Sequence, residues 1–172
     1  PVYFTDQMRY GTRTHSRRRW SRQGHRPRCP VKLGYEWAYL YVALCPFTGD
    51  VFAMLLPRLD KAGFQVFLQQ LEQHLEEKGS RCPLLIGDGA AAHTAQDWQQ
   101  YGLKWQRLPT ACPELNPVER FFEELRKGTA NKVFSHLAEI EQLLERLVKD
   151  YIQQPQKVKQ LTLYPYMERA HK

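Results

Sequence analysis

The sequence predicts an α/β domain, a mixed sheet flanked by helices on both faces. Three observations lead there. Two short apolar runs, Pro1–Asp6 and Leu84–Gly87, each lead straight into an aspartate. Two aromatic and β-branched segments, Glu36–Leu44 and Val51–Leu56, are joined by a short stretch of turn residues. Between and after them, apolar residues recur at helical spacing.

In chain order, Pro1–Asp6 (PVYFTD) alternates Val2 and Phe4 with Tyr3 and Thr5 and reads as a strand ending at Asp6. Thr12–Gly34, rich in Arg, Gly and Pro, reads as a long loop of the kind that is usually functional or disordered. Glu36–Leu44 and Val51–Leu56 form a hairpin around Thr48-Gly49-Asp50. Phe64, Phe67, Leu68, Leu71 and Leu75 mark an amphipathic helix stopped by Gly79. Leu84–Gly87 is a buried strand delivering Asp88 to its carboxyl end. Thr94–Tyr101 reads as a short helix stopped by Gly102, and Lys104–Leu108 as a last strand. After the Pro-punctuated loop Thr110–Pro117, Asn116 at the N-cap, Pro117 at N1 and Glu119 at N3 open a helix that Gly128 is expected to end. Leu137, Ile140, Leu143, Leu144, Leu147, Val148 and Tyr151 carry the clearest helical period, bounded by Pro155. Strand, hairpin, helix, strand, helix, strand and closing helices together fit a ribonuclease H-like sheet.

Composition narrows the class. With 172 residues, 42% hydrophobic and 25% charged, the chain has the size and make-up of one globular domain. No apolar run approaches the ~20 residues that span a bilayer, and no signal peptide opens the chain. Cys29, Cys45, Cys82 and Cys112 form no CxxC pair, which argues against a zinc knuckle and suits reduced thiols in a cytoplasm. The net charge of +7 is local. Arg13, Arg17, Arg18, Arg19, Arg22, Arg26, Arg28 and Lys32 all fall within Thr12–Gly34, which contains no acid and leaves the remainder nearly neutral. With Trp20, His15 and His25 interleaved, this stretch reads as a nucleic-acid contact, although a solvated basic loop would look the same. Phosphate contacts of that kind supply affinity and salt dependence but no sequence readout.

The carboxylates carry the chemistry. Mg²⁺ is a hard ion that prefers oxygen ligands and keeps several waters. Two such ions about 3.5–4 Å apart can clamp the attacking and leaving oxygens of a phosphodiester displacement. Asp6 and Asp88 can supply such a site if their strands are neighbours, and Gly87 and Gly89 leave room beside Asp88. Asp88 could equally begin a turn or cap a helix. Glu119 is the best-placed third acid, yet N3 behind an Asn N-cap is also a capping-box position that stabilises without metal. Glu123 and Glu114 are fallback acids. His93, five residues after Asp88, is either a surface or capping group or one that orients water at a phosphate.

The segments FTDQMRYG, RQGHRP, GDGAAAH and LPTACPELNPVERFFEELR together resemble the catalytic domain of mariner-type transposases, in particular the branch of bacterial insertion sequences. FTGDVFAMLLPRL and QLTLYPY extend the likeness over nearly the whole chain, and PELNPVE is its most specific block. The resemblance implies a ribonuclease H-like fold and a DDE triad at Asp6, Asp88 and Glu119, with His93 as the family's middle-block histidine. It implies two Mg²⁺ or Mn²⁺ ions per site, and cut-and-paste transposition in which water cleaves at the element ends and the freed 3′-hydroxyl attacks a TA step. It further implies that the basic loop clamps DNA and a partner subunit in a homodimer. Residues 1–172 would be one catalytic domain, with a helix-turn-helix DNA-binding region expected upstream, working in a bacterial cytoplasm and at the nucleoid when bound to DNA. Three positions depart from the family pattern: Gln7 where an acid commonly follows, Cys112 where Ser is usual, and an Ala-rich middle block. The alternative from another class is a non-catalytic DNA-binding or assembly remnant kept for its basic surface.

Overall fold

A computed structural model of the chain describes residues 1–80, 83–88 and 101–170. Five strands make one sheet: β1 (Val2–Gly11), β2 (Trp37–Cys45), β3 (Asp50–Leu56), β4 (Leu84–Gly87) and β5 (Lys104–Arg107). Their order is β3-β2-β1-β4-β5. β1, β2 and β3 run antiparallel to their neighbours, while β4 and β5 add in parallel on the other side of β1. The sheet is mixed and ribonuclease H-like. Helix α1 (Lys61–Glu77) precedes β4. A 3₁₀ turn (Pro113–Leu115) leads into α2 (Pro117–Thr129), followed by α3 (Leu137–Ile152), α4 (Pro155–Thr162) and α5 (Pro165–Ala170). The expected helix over 94–101 lies outside the described residues apart from Tyr101, as do Cys82 and His93.

The period-two alternation of the strands sorts side chains onto two faces. Tyr3, Tyr41, Ala43 and Leu85 face α1, whose Phe64, Phe67, Leu68, Leu71 and Leu75 are all buried against them. Phe4, Met8, Tyr10, Leu40, Val42 and Leu44 face the opposite layer, where α2 supplies Phe121, Phe122 and Leu125 and α3 supplies Ile140, Leu144 and Val148. Asp60 caps α1, its carboxylate accepting from the Gly63 N–H at 2.8 Å, and Gly79 closes it at φ 67°.

Two sequence expectations change. β1 does not end at Asp6 but continues to Gly11, because Met8 and Tyr10 prolong the buried alternation and pair with Leu40 and Ala38 of β2. Gly128 does not end its helix. It sits one residue inside the end of α2, and a Cβ there would stand 2.6 Å from Leu147 Cδ1, so the missing side chain lets α3 pack close. The turn is instead made beyond Ala130, where Asn131 adopts φ 58°.

Asp50, at the start of β3, ties the sheet to the end of α1. It accepts from Tyr3 Oη at 2.8 Å and from Lys78 Nζ at 2.7 Å, and His74 Nε2 lies 2.8 Å from its Oδ2. Burial alone would raise this carboxyl group, but the hydrogen bonds from His74, Lys78 and Tyr3 outweigh it and hold Asp50 well below the usual carboxylate range. A depressed folded-state value contributes stability that is present above the unfolded value near ~3.9 and is lost as pH falls below it. Urea titrations should therefore show the native state weakening below about pH 4. Asp50→Ala should cost about 1.5–3 kcal/mol at neutral pH and flatten that acid limb. An unchanged limb would remove Asp50 as its source.

Candidate active site

Asp6 occupies the middle of β1 at the point where the strand loses its β4 neighbour. The parallel register pairs Val2, Tyr3 and Phe4 with Leu84, Leu85 and Ile86, so two residues further on Asp6 and Asp88 are level. Asp6 shares the even-numbered face of Phe4, Met8 and Tyr10, which α2 covers. β4 stops at Gly87, leaving Asp88 exposed.

The start of α2 faces this notch. Asn116 is buried and uses both ends of its amide. Its carbonyl accepts from the Val118 N–H at 3.2 Å, making the N-cap. Its Nδ2 donates to Thr5 O and to Asp6 Oδ2, each at 3.2 Å. Asp6 Oδ1 accepts from the Gln7 N–H at 2.8 Å. Each Asp6 oxygen thus has a donor that fixes its orientation. Sequence reading assigned Asn116 to the cap alone; an amide with two functions leaves no separate trace in sequence.

Asp6, Asp88 and Glu119 line one cavity of about 370 Å³, together with Asn116, Arg107 and the loop Leu108–Pro113. Among the described residues no three His, Cys, Asp or Glu side chains gather tightly enough to hold one ion. Glu119 Oε2 accepts from Arg126 Nη1 at 3.3 Å. Both side chains are more than one-third exposed, at 37% each. Glu119 does not complete a capping box: the Asn116 N–H donates to Pro113 O at 2.9 Å. Glu119→Gln should therefore lower stability by no more than about 1 kcal/mol, the worth of a first-turn carboxylate and an exposed ion pair. Thermal melts check this, and a much larger loss would return Glu119 to a structural role. Glu123 pairs with Arg17 at 3.8 Å and Arg120 at 3.6 Å; neither it nor Glu114 is among the cavity's lining residues.

The basic stretch is an arm with a zipped stem. The Thr12 N–H donates to Glu36 O and the Thr14 N–H to Lys32 O, both at 3.0 Å. The arm docks on the turn between α2 and α3, where the Asn131 N–H donates to His15 O at 2.8 Å and the Arg17 N–H to Asn131 Oδ1 at 3.0 Å. Lys32 Nζ is spent on the carbonyls of Phe134 and Ser135, and the Arg17 guanidinium faces Glu123. Arg13, Arg18, Arg19, Arg22, Arg26 and Arg28 remain exposed, although Arg19 Nη2 also donates to Asn131 O at 3.3 Å. Trp20 stands fully in solvent. The eight basic residues therefore divide into anchors and a free cationic surface.

Asp6, Asp88 and Glu119 thus sit around one notch of a ribonuclease H-like sheet. The chain belongs to the DDE superfamily endonuclease family, whose model matches residues 1–143. Among solved structures, the catalytic domain of Mos1 mariner transposase shares the fold with a TM-score of 0.64 at 14% identity, over 92% of this chain and 77% of that one. The mariner Mos1 paired-end complex with Mg gives 0.67 at 19% identity, over 92% of this chain and 52% of that one. The chain spans about half the length of the Mos1 transposase in its complex with the left transposon end, 54% of it. An uncharacterized protein of Sinorhizobium fredii, y4pE/y4sA, is 24% identical over 135 residues, 78% of this chain and 99% of that protein. No helix among the described residues is long and apolar enough to cross a membrane.

Proposed function

We propose that this chain is the catalytic domain of a DNA transposase, a metal-dependent enzyme of strand cleavage and strand transfer. The observation that carries the reading is the meeting of Asp6, Asp88 and Glu119, far apart in sequence, around one cavity. The Mos1 structures of the same fold, among them complexes with Mg and with Mn, support it.

The donor set fits the ion. Three carboxylates are hard oxygen donors that suit Mg²⁺ or Mn²⁺. Two ions sharing the acids in pairs do not require all three acids on one ion. When bound, the metal would stabilise negative charge building up on the phosphate and lower the pKa of a bound water. The chain's own residues do the rest. Asn116 and the Gln7 N–H hold the Asp6 carboxylate in one orientation, so little reorganisation remains at the moment of reaction. Arg107, at the end of β5, adds a positive group to the cavity wall for the phosphodiester. His93 would orient the water or the departing oxygen.

In the first step water displaces the 3′ oxygen at the end of the element, leaving a 3′-hydroxyl and a 5′-phosphate. In the second that 3′-hydroxyl displaces a 3′ oxygen of the target strand, at a TA step. The exposed arginines of the arm hold DNA by counterion release. Residues 1–172 act as one catalytic domain, the working complex is a homodimer, and recognition of the ends falls to a separate helix-turn-helix region.

A Mn²⁺ titration followed by thermal unfolding tests the reading. An ion at one hundred times its dissociation constant stabilises the folded state by about 2.7 kcal/mol. Wild type should gain stability in this way and Asp6→Asn should not. The second reading, a non-catalytic DNA-binding remnant, has Glu119's engagement with Arg126 in its favour. It requires that Mn²⁺ stabilise neither protein.

A further inference from the structure

Arg126 stands between two cavities. On one side its Nη1 donates to Glu119 Oε2. On the other it lines a cavity of about 560 Å³ between the stem of the arm, the far half of β1 and helices α2 and α3. Arg9, Arg13, His15 and Lys132 share that lining, and among the described residues Glu36 is the one acid within it. The Arg9 guanidinium lies 5.9 Å from the Trp37 ring centroid and that of Arg126 lies 5.8 Å from Phe122. Even with Arg126 set against Glu119, Arg9, Arg13 and Lys132 outnumber Glu36 among the described residues, a surplus that an anion would balance. The cavity opens beneath the arm, so the anion whose place suits it is a backbone phosphate of the DNA held there.

The Glu119–Arg126 pair spans seven residues, about 10 Å of rise, with Arg126 reaching back along the lean of helical side chains toward the N-terminus. The pairing occupies one oxygen of the Glu119 carboxylate, which lines the cavity beside Asp6 and Asp88. We propose that Arg126 is a positioning residue with two alternative partners: Glu119 in the chain alone, and a DNA backbone phosphate in the complex. The exchange frees that Glu119 oxygen to act with Asp6 and Asp88 on an ion, so the acidic site gains its full donor set when DNA is in place. This rests on the catalytic reading above. An ion pair with both ends so exposed is cheap to break, and an Arg–phosphate contact is stronger.

The test measures Mn²⁺ affinity by electron paramagnetic resonance, with and without a short DNA duplex, for wild type, Arg126→Gln and Lys132→Gln. Without DNA, Arg126→Gln should bind Mn²⁺ about two- to five-fold more tightly than wild type, the worth of the lost pair. The duplex should tighten wild type by a similar factor and leave Arg126→Gln unmoved. Lys132→Gln should keep the DNA-free affinity and lose part of the DNA response. The slope of log affinity for duplex against log salt should shrink by about one for Arg126→Gln. Sodium sulfate at matched ionic strength should not reproduce the duplex effect; if it does, the cavity is a free-oxyanion site and the DNA assignment falls. Wild-type-like or weaker Mn²⁺ binding by folded Arg126→Gln overturns the exchange, and an unchanged salt slope overturns the phosphate contact. If Arg126→Gln fails to fold, Arg126→Met, which keeps an unbranched apolar stem and loses the charge, is read by the same criteria. A wild type that binds no Mn²⁺ with or without duplex would sink the catalytic reading instead, and the salt slope would still decide the phosphate contact.

Discussion

Asp88→Asn should abolish Mg²⁺-dependent strand cleavage, lowering the rate by more than about a hundredfold, the upper range seen when groups merely supporting a metal ligand are removed. Asparagine keeps the shape of the side chain and loses its charge, so the change isolates the electrostatics. Asp88 is exposed beyond the end of β4, and the fold should register the substitution by no more than about 0.5 kcal/mol. The measurement pairs cleavage of a labelled duplex in Mg²⁺ with a urea titration of the same preparation. Cleavage at the wild-type rate by a folded variant would remove Asp88 from the reaction. A rate loss matched by a collapse in stability would make it structural.

Gly87→Ala is expected to damage both folding and chemistry. Gly87 is buried, and a Cβ there would stand 2.6 Å from Trp105 Cη2 and 2.9 Å from Thr5 Cγ2. Trp105 is held in β5 and Thr5 in β1, with the Thr5 hydroxyl donating to Val42 O at 2.8 Å, so neither neighbour can easily withdraw. Overpacking of this kind costs about 1–3 kcal/mol. Asp88 follows directly, and any shift of the strand end carries its carboxylate along. Misplacement by about 1 Å can cost about a hundredfold in rate. Chemical denaturation and the cleavage assay on one variant should show both losses. A variant with wild-type stability would mean that the sheet opens at little cost.

Much of this arrangement is legible in the sequence because it rests on local periodicity. The five apolar positions of α1, the hairpin of β2 and β3, and the cap of α2 at Asn116 all follow from residues within a turn or two of one another. The strand leading to Asp88 is legible for the same reason. What the sequence hides depends on neighbours distant in the chain. β1 outruns Asp6 because β2 pairs with it as far as Gly11, and a reading that stops at the first charged residue misses Met8 and Tyr10. Gly128 looks like a helix terminator until Leu147 is seen against it. Arg126 reaches Glu119 over seven residues, outside the three- and four-residue spacings by which helical pairs are recognised. Nor does charge count alone reveal that Lys32 is occupied with carbonyls while the exposed arginines are not.

The manner in which the arm is fastened bears on how such a protein can change over generations. Its stem, from Thr12 to Glu36, carries two main-chain hydrogen bonds beside one accepted by Thr14 Oγ1 from the Lys32 N–H, and one of its attachments at Asn131 is also main-chain. Nearly every amino acid brings the same N–H and C=O, so the outer part of the arm can drift in composition without loosening its own hinges. Sequence change can accumulate there while the sheet and its acids stay under separate selection.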